Sequence, residues 1–339
     1  MTVMAPSTDA RLTHLEIERI RHARRRSILL FLTDRCPVGC RHCSVDSRAD
    51  SPTIRDFALF EEIVGWIARD SGFDVVGISG GEPFVERRGL TLACRRLSGA
   101  GKRIVVFTSG VWARQTPGPG WIREVLDRCA CVYLSTDAFH GSQITDAQFV
   151  RAVRAIVAAG PWLVIQGLDD AETAARIDRL LTEALGPDWR RTAEVNLIAP
   201  LTNGRGALTF SREARTAGAS FGPCTLVRNP MVRYDGTVSA CCNESVIMGF
   251  GPARLRRRVD SAGDLAAAVG AFHGDPLLRV IGETGFGGLT QHPQLRDLAE
   301  EKFGTNCELC WKVLARMPDA GRPDRLVAAM AELQTEDVP

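Results

Sequence analysis

Ser27-Ile-Leu-Leu-Phe-Leu-Thr33, followed at once by Asp34-Arg-Cys36-Pro-Val-Gly-Cys40-Arg-His-Cys43, decides how the rest of the chain is read. The first part is a short run of apolar and aromatic residues of strand length. The second places three thiols on a loop at what would be the strand's C-terminal end. Pro37 restricts φ and Gly39 relaxes it, as a tight loop folded around a metal cluster requires. Four-iron clusters ordinarily take four thiolates, so three leave one iron open for a ligand. Zinc held by the same cysteines with His42 is the competing reading, but adjacent His42 and Cys43 chelate one tetrahedral ion awkwardly.

Outward from this stretch, short apolar runs alternate with longer amphipathic ones. The strand-like runs are Ser27–Thr33, Asp74–Ser79, Arg103–Thr108, Cys131–Thr136, Trp162–Gln166 and Ala193–Ala199. Between them lie helix-like segments at Asp56–Asp70, Arg87–Ala100, Gly120–Arg128, Asp146–Ala159 and Ala171–Ala184. Such alternation predicts parallel β/α units. Six strands are too few for the eight-stranded barrel, so an α/β partial (β/α)6 TIM-like barrel is expected, with a doubly wound sheet as the alternative. After Pro200 the alternation stops. Asp235-Gly236, flanked by Met231–Tyr234 and Thr237–Ala240, is a strong hairpin signal. The expected organisation is a basic helical leader over 1–26, the barrel over 27–205, and a C-terminal unit over 206–339.

Composition narrows the function class. The 339 residues carry a formal charge of +2 and 45% hydrophobic residues, which suits a globular chain and argues against a nucleic-acid partner. No apolar stretch is long enough to span a membrane, and no signal-type segment opens the chain, so a cytoplasmic setting is expected. In the leader, Leu12, Leu15 and Ile20 form the apolar stripe. The basic run from Arg21 to Arg26 reads as a solvated face. Eleven cysteines without an export signal suggest cofactor ligation rather than disulfides. Cys94, Cys129 and Cys131 lie away from the other sets and are expected in the core.

The Cys-x3-Cys-x2-Cys loop after the first strand, together with Ser79-Gly80-Gly81-Glu82-Pro83 after the second, resembles the radical S-adenosylmethionine (radical SAM) superfamily. The resemblance implies that Cys36, Cys40 and Cys43 hold a [4Fe-4S] cluster whose open iron is chelated by S-adenosylmethionine. Its reductive cleavage would then yield a radical that removes hydrogen from a substrate. It further implies an adenine-side position for His42 and backbone contacts from Gly80, Gly81 and Glu82 to the methionine amino group. Thr108, Ser109, Ser135 and Asp137 are candidates for the ribose, and Arg205 for the methionine carboxylate or a substrate anion. Each of these also suits turn capping or an exposed loop.

Cys224-x11-Gly236-x4-Cys241 followed by Cys307-x2-Cys310 resembles the twitch variant of the SPASM auxiliary domain, which implies a second [4Fe-4S] cluster. A four-cysteine zinc site is the alternative, and Cys242 competes with Cys241 as the ligand. If Cys242 is surplus, it is a hydrogen-atom donor or a small buried hydrophobe.

Three reactions remain open. Epimerisation of an aminoglycoside-type sugar, with a cysteine thiol as donor, leads. Dehydrogenation of an aminoglycoside or cyclitol alcohol follows, and maturation of a ribosomal peptide is third. Cys242, His140 and Asp137 are the candidate catalytic residues. Asp137, Glu194 and Glu244 are the carboxylates available to an amino sugar. A reductant such as flavodoxin or ferredoxin is the expected protein partner.

Overall fold

A computed structural model describes residues 11–141, 143–211, 214–317 and 321–333. The first ten residues of the expected 1–26 leader, and 334–339 at the end of the expected C-terminal unit, lie outside the described residues.

The β/α alternation holds element by element. Strands β1 (Ser27–Phe31), β2 (Val75–Ser79), β3 (Arg103–Thr108), β4 (Cys129–Ser135), β5 (Trp162–Leu168) and β6 (Ala193–Ile198) lie side by side, each parallel to the next. After α1 (His14–His22), the connecting helices are α2 (Phe57–Arg69), α3 (Arg87–Gly99), α4 (Gly120–Leu126), the short α5 (Ala138–Gly141), α6 (Asp146–Ala159) and α7 (Ala171–Leu185). Their starts follow local chemistry. Asp56, Thr145 and Asp170 accept backbone N–H groups at the first turns of α2, α6 and α7. Gly160, at φ 110°, ends α6 in the left-handed region.

Side chains alternate along each strand. Leu30, Val76, Ile78, Val106, Val132 and Leu134 face the helices in the main core. Leu29, Gly77, Phe107, Tyr133 and Gln166 face inward, around a lumen. Six parallel strands leave the β1 edge open. After β7 (Thr216–Ala217), the hairpin strands β8 (Met231–Arg233) and β9 (Thr237–Ser239), then β10 (Arg256–Arg258), add to that edge. The result is a nine-stranded, mostly parallel sheet in the order β10-β9-β8-β1-β2-β3-β4-β5-β6, an α/β partial TIM-like barrel. Met231 pairs in parallel with Leu29, so the sheet runs without a break into the hairpin. Strand β11 (Lys302–Phe303) pairs with β7 in a separate two-stranded sheet. Among the described residues no helix is long and apolar enough to cross a membrane.

The leader corrects one expectation. Helix α1 lies under the barrel, and one residue of its expected apolar stripe falls outside the contact. Leu12 and Ile17 are 1% and 4% exposed and pack on Val75, Val105, Cys131, Tyr133 and Val164 near the N-terminal ends of the strands. The Leu12 amide donates to the Ala130 carbonyl. Leu15, expected in the apolar stripe, is 57% exposed. The basic run is solvated only in part: His22, Arg25 and Arg26 are exposed, whereas Arg21 lines the lumen and Arg24 donates to the His273 carbonyl. Cys94, Cys129 and Cys131 are buried. Ile17→Ala should cost about 2–5 kcal/mol of stability, read as a lower urea midpoint with an unchanged m-value.

Candidate active site

The cysteine loop is anchored at several points. The Cys36 amide donates to the Arg48 carbonyl (2.9 Å) and the Cys43 amide to Cys40 (3.2 Å). Gly39 takes φ 65°, which its lack of a Cβ permits. Cys36, Cys40 and Cys43 all line a lumen of about 420 Å³. Burial pushes the Cys36 thiol up to about 11 and Cys40 to about 12. The positive charge of a bound cluster is what would turn them into thiolates.

From the far side of β6 a second segment clasps this loop. The Arg205 guanidinium donates to the Cys40 carbonyl (2.9 Å) and the Ser47 carbonyl (3.0 Å), and pairs with Asp46 at 2.6 Å. Its amide donates to the Cys43 carbonyl, and Thr209 Oγ1 to the Arg41 carbonyl. A Cβ on Gly204 would sit 2.5 Å from the Cys43 oxygen. Arg205 was expected as an anion ligand. Its donors are instead committed to the loop that carries the thiols, and it does not border the lumen.

The Gly-Gly-Glu turn is likewise built around backbone. The Gly81 amide donates to Thr33 O (2.7 Å) and the Glu82 amide to Arg35 O (2.9 Å). A Cβ on Gly81 would lie 2.4 Å from the Arg35 oxygen, so only glycine fits. Gly80 and Gly81 face the lumen, whereas Glu82 is fully buried. Its carboxylate accepts from Thr108 Oγ1 (2.8 Å), the Ser109 amide (2.8 Å), Ser109 Oγ (2.5 Å) and the Phe84 amide (3.2 Å). Burial raises the Glu82 pKa and these donors oppose the rise. Glu82 therefore joins the β2 turn to the end of β3. The Thr108 and Ser109 hydroxyls, expected at a ribose, already donate to it.

Beside the loop, His42 Nε2 and His140 Nδ1 stand 3.2 and 3.0 Å from Asp137 Oδ2. Asp137 Oδ1 accepts from the Phe139 and His140 amides, so both oxygens have partners. Burial works against the Asp137 carboxylate, but the two imidazoles hold it well below the usual range, which makes it a weak base. His42 also packs on Phe139, with ring centroids 4.6 Å apart. His42, Ser135, Asp137 and His140 all border the lumen.

The later cysteines divide at one peptide bond. Cys241 is 5% exposed in the main core, while Cys242 packs against Phe31, Met231 and Ile247 and lines the lumen. Burial pushes the Cys241 and Cys310 thiols well up. Cys224 is close enough to both to add to the shift, and Cys310 feels Cys307 as well. Cys307 and Cys310 sit on the helix Asn306–Arg316, one turn apart. Cys224 thus lies near Cys241 and Cys310, and Cys307 near Cys310; Cys242, which also feels Cys224, is the one of the five that lines the lumen. Arg21 Nη2 lies 4.0 Å from Cys242 Sγ. Burial raises the Cys242 thiol, and the Arg21 charge partly offsets this.

Of the other carboxylates, Glu194 is occupied by the His14 amide and Trp162 Nε1 (both 2.6 Å), whereas Glu244 borders the lumen. Sequence reasoning missed His14, Glu18 and Arg21, which also line it. Their spacing from Ile17 was the available signal, since they share its side of the helix.

Residues 30–173 match the family model of the radical SAM superfamily. A radical SAM domain implies S-adenosylmethionine and a [4Fe-4S] cluster, and the three thiols facing the lumen from one loop fit that requirement. Among solved structures, the chain is similar to native anSMEcpe with bound AdoMet and Cp18Cys peptide. That match has 14% identity, a TM-score of 0.48, and covers 72% of this chain and 79% of the other. It is also similar to Streptococcus suis SuiB bound to precursor peptide SuiA, at 13% identity and TM-score 0.47, covering 89% and 75%.

Arg205→Met should leave the protein folded but loosen the thiol loop. Iron retained after anaerobic reconstitution and desalting is expected to fall, with a weaker four-iron electron paramagnetic resonance signal; equal retention would show the clasp to be dispensable.

Proposed function

We propose that the chain is a radical SAM enzyme that inverts a carbinol centre in an aminoglycoside-type sugar, with Cys242 as the hydrogen-atom donor. Cys36, Cys40 and Cys43 would hold the cluster that binds S-adenosylmethionine, with His42, Gly80, Gly81 and Ser135 around it. When bound there, this pair supplies a primary carbon radical able to take hydrogen from an unactivated C–H bond. Cys224, Cys241, Cys307 and Cys310 would hold a second, fully ligated four-iron cluster.

What supports this reading is the opposed placement of Cys241 and Cys242. Cys241 lies in the main core, while Cys242 shares the lumen with the first cysteine set. The substrate loses one hydrogen atom from carbon, and the Cys242 S–H bond breaks to return one from the opposite face. The sulfur then needs one electron and one proton, supplied through a low-potential carrier of the flavodoxin or ferredoxin class. Arg21, donating toward the sulfur, leaves the thiol hydrogen free to point into the lumen.

Dehydrogenation is the second reading, favoured by the four-thiol set lying beside the lumen wall. In it, the substrate radical would pass one electron to the second cluster held by Cys224, Cys241, Cys307 and Cys310, lose its hydroxyl proton to solvent and become a ketone. Peptide maturation is the third.

Reconstituted protein should carry about eight irons per chain, falling to about four when Cys36, Cys40 and Cys43 are replaced by alanine; zinc without iron would end the proposal. In deuterated water, epimerisation places solvent deuterium at the inverted carbon, whereas a ketone product without label selects dehydrogenation. Cys242→Ala should abolish epimerised product while 5′-deoxyadenosine still forms. Turnover of a precursor peptide but of no amino sugar would select maturation.

A further inference from the structure

The lower wall of the lumen carries charge that the protein leaves half matched. Arg21 Nη1 lies 2.7 Å from Glu18 Oε1, so these two offset each other. Toward the cysteine loop, Asp137 is held between two imidazoles and Glu82 is sealed off by its four donors. Glu244 is different. It borders the lumen at the start of the short helix Glu244–Ile247, two residues after Cys242. Two amide groups donate to it, Asn203 Nδ2 at 3.1 Å and Asn243 Nδ2 at 3.5 Å, and both go to Oε2. The carboxylate also takes a hydrogen bond from its own amide, and among the described residues no other residue donates to Oε1 or pairs with it.

We propose that Glu244 Oε1 binds an ammonium group of the substrate, making the ligand a small amine whose reactive carbinol lies within reach of Cys242. This deepens the reading above and rests on it for the reacting carbon. Asn203 and Asn243 hold the carboxylate by its other oxygen, so Oε1 keeps a fixed direction. An ammonium brings hydrogen-bond donors and the missing positive charge together, which a hydroxyl does not. A neutral cyclitol of the same size leaves a partly desolvated carboxylate without a counter-charge, and so binds worse. The Arg21 charge reaches Glu244 only as the smallest of the influences on it, because its ion pair is made with Glu18. Arg21 is a positioning residue, fixing the sulfur across from the amine.

The test is titration calorimetry on the anaerobically reconstituted full chain, with 2-deoxystreptamine and neamine as amine probes and scyllo-inositol as the neutral one. Wild type should bind an amine probe and discriminate against scyllo-inositol. Glu244→Gln, which keeps the shape and removes the charge, should weaken amine binding roughly ten- to hundredfold, with iron content and circular dichroism unchanged. Asn203→Ala, should the first variant fold poorly, is expected to weaken it several-fold. Cys242→Ala should bind the amine as wild type does. Equal amine affinity in Glu244→Gln, wild-type preference for scyllo-inositol, or failure of wild type to bind either amine would overturn the proposal. Amine binding that depends on Glu244, with no deuterium entering any product, would instead remove the epimerase reading and leave this site standing.

Discussion

One buried carboxylate holds the upper end of the sheet together. Glu82 reaches the end of β3 through Thr108 and Ser109, and its amide meets the carbonyl of Arg35 just before the first cysteine. A buried carboxyl group is costly unless its oxygens are satisfied, and four donors surround this one. Because they come from the β2 turn and the β3 end, those two elements cannot shift independently. The cysteine loop inherits that fixed position, and the Arg205 clasp then sets its outer arm. The geometry of three thiols around one lumen thus depends on Glu82 and Arg205, neither of which lines the lumen.

The barrel was largely legible in the sequence because its signals are local. The β-branched apolar run in Arg103–Thr108 and the caps at Asp56 and Thr145 name their elements without reference to anything distant. The Asp235-Gly236 hairpin was equally plain, with Gly236 at φ 86°. Where that hairpin goes was not. Nothing in Met231–Arg233 says that it will pair with β1, since edge pairing is settled by which strand is left open. The site residues divide in the same way. Thiol spacing survives translation into three dimensions. The destination of Arg205, Thr108 or Ser109 does not, because each hydroxyl or guanidinium goes to whichever buried acceptor the fold brings near.

Helix α1 illustrates the limit most clearly. A basic amphipathic segment reads the same whether its arginines meet water or a cavity. Only the lumen beneath β4 and β5 turns Arg21 inward, where it meets Cys242, and the same placement makes Glu18 and His14 part of the wall.

The position of α1 also has a consequence for how the molecule is assembled. The helix precedes the groups it rests on, Ala130, Tyr133 and Val164, by more than a hundred residues along the chain. Contacts so distant along the chain form only after the intervening loop entropy has been overcome. During synthesis the barrel therefore stays open from below until β5 is in place, and its interior is closed by a segment made well before it.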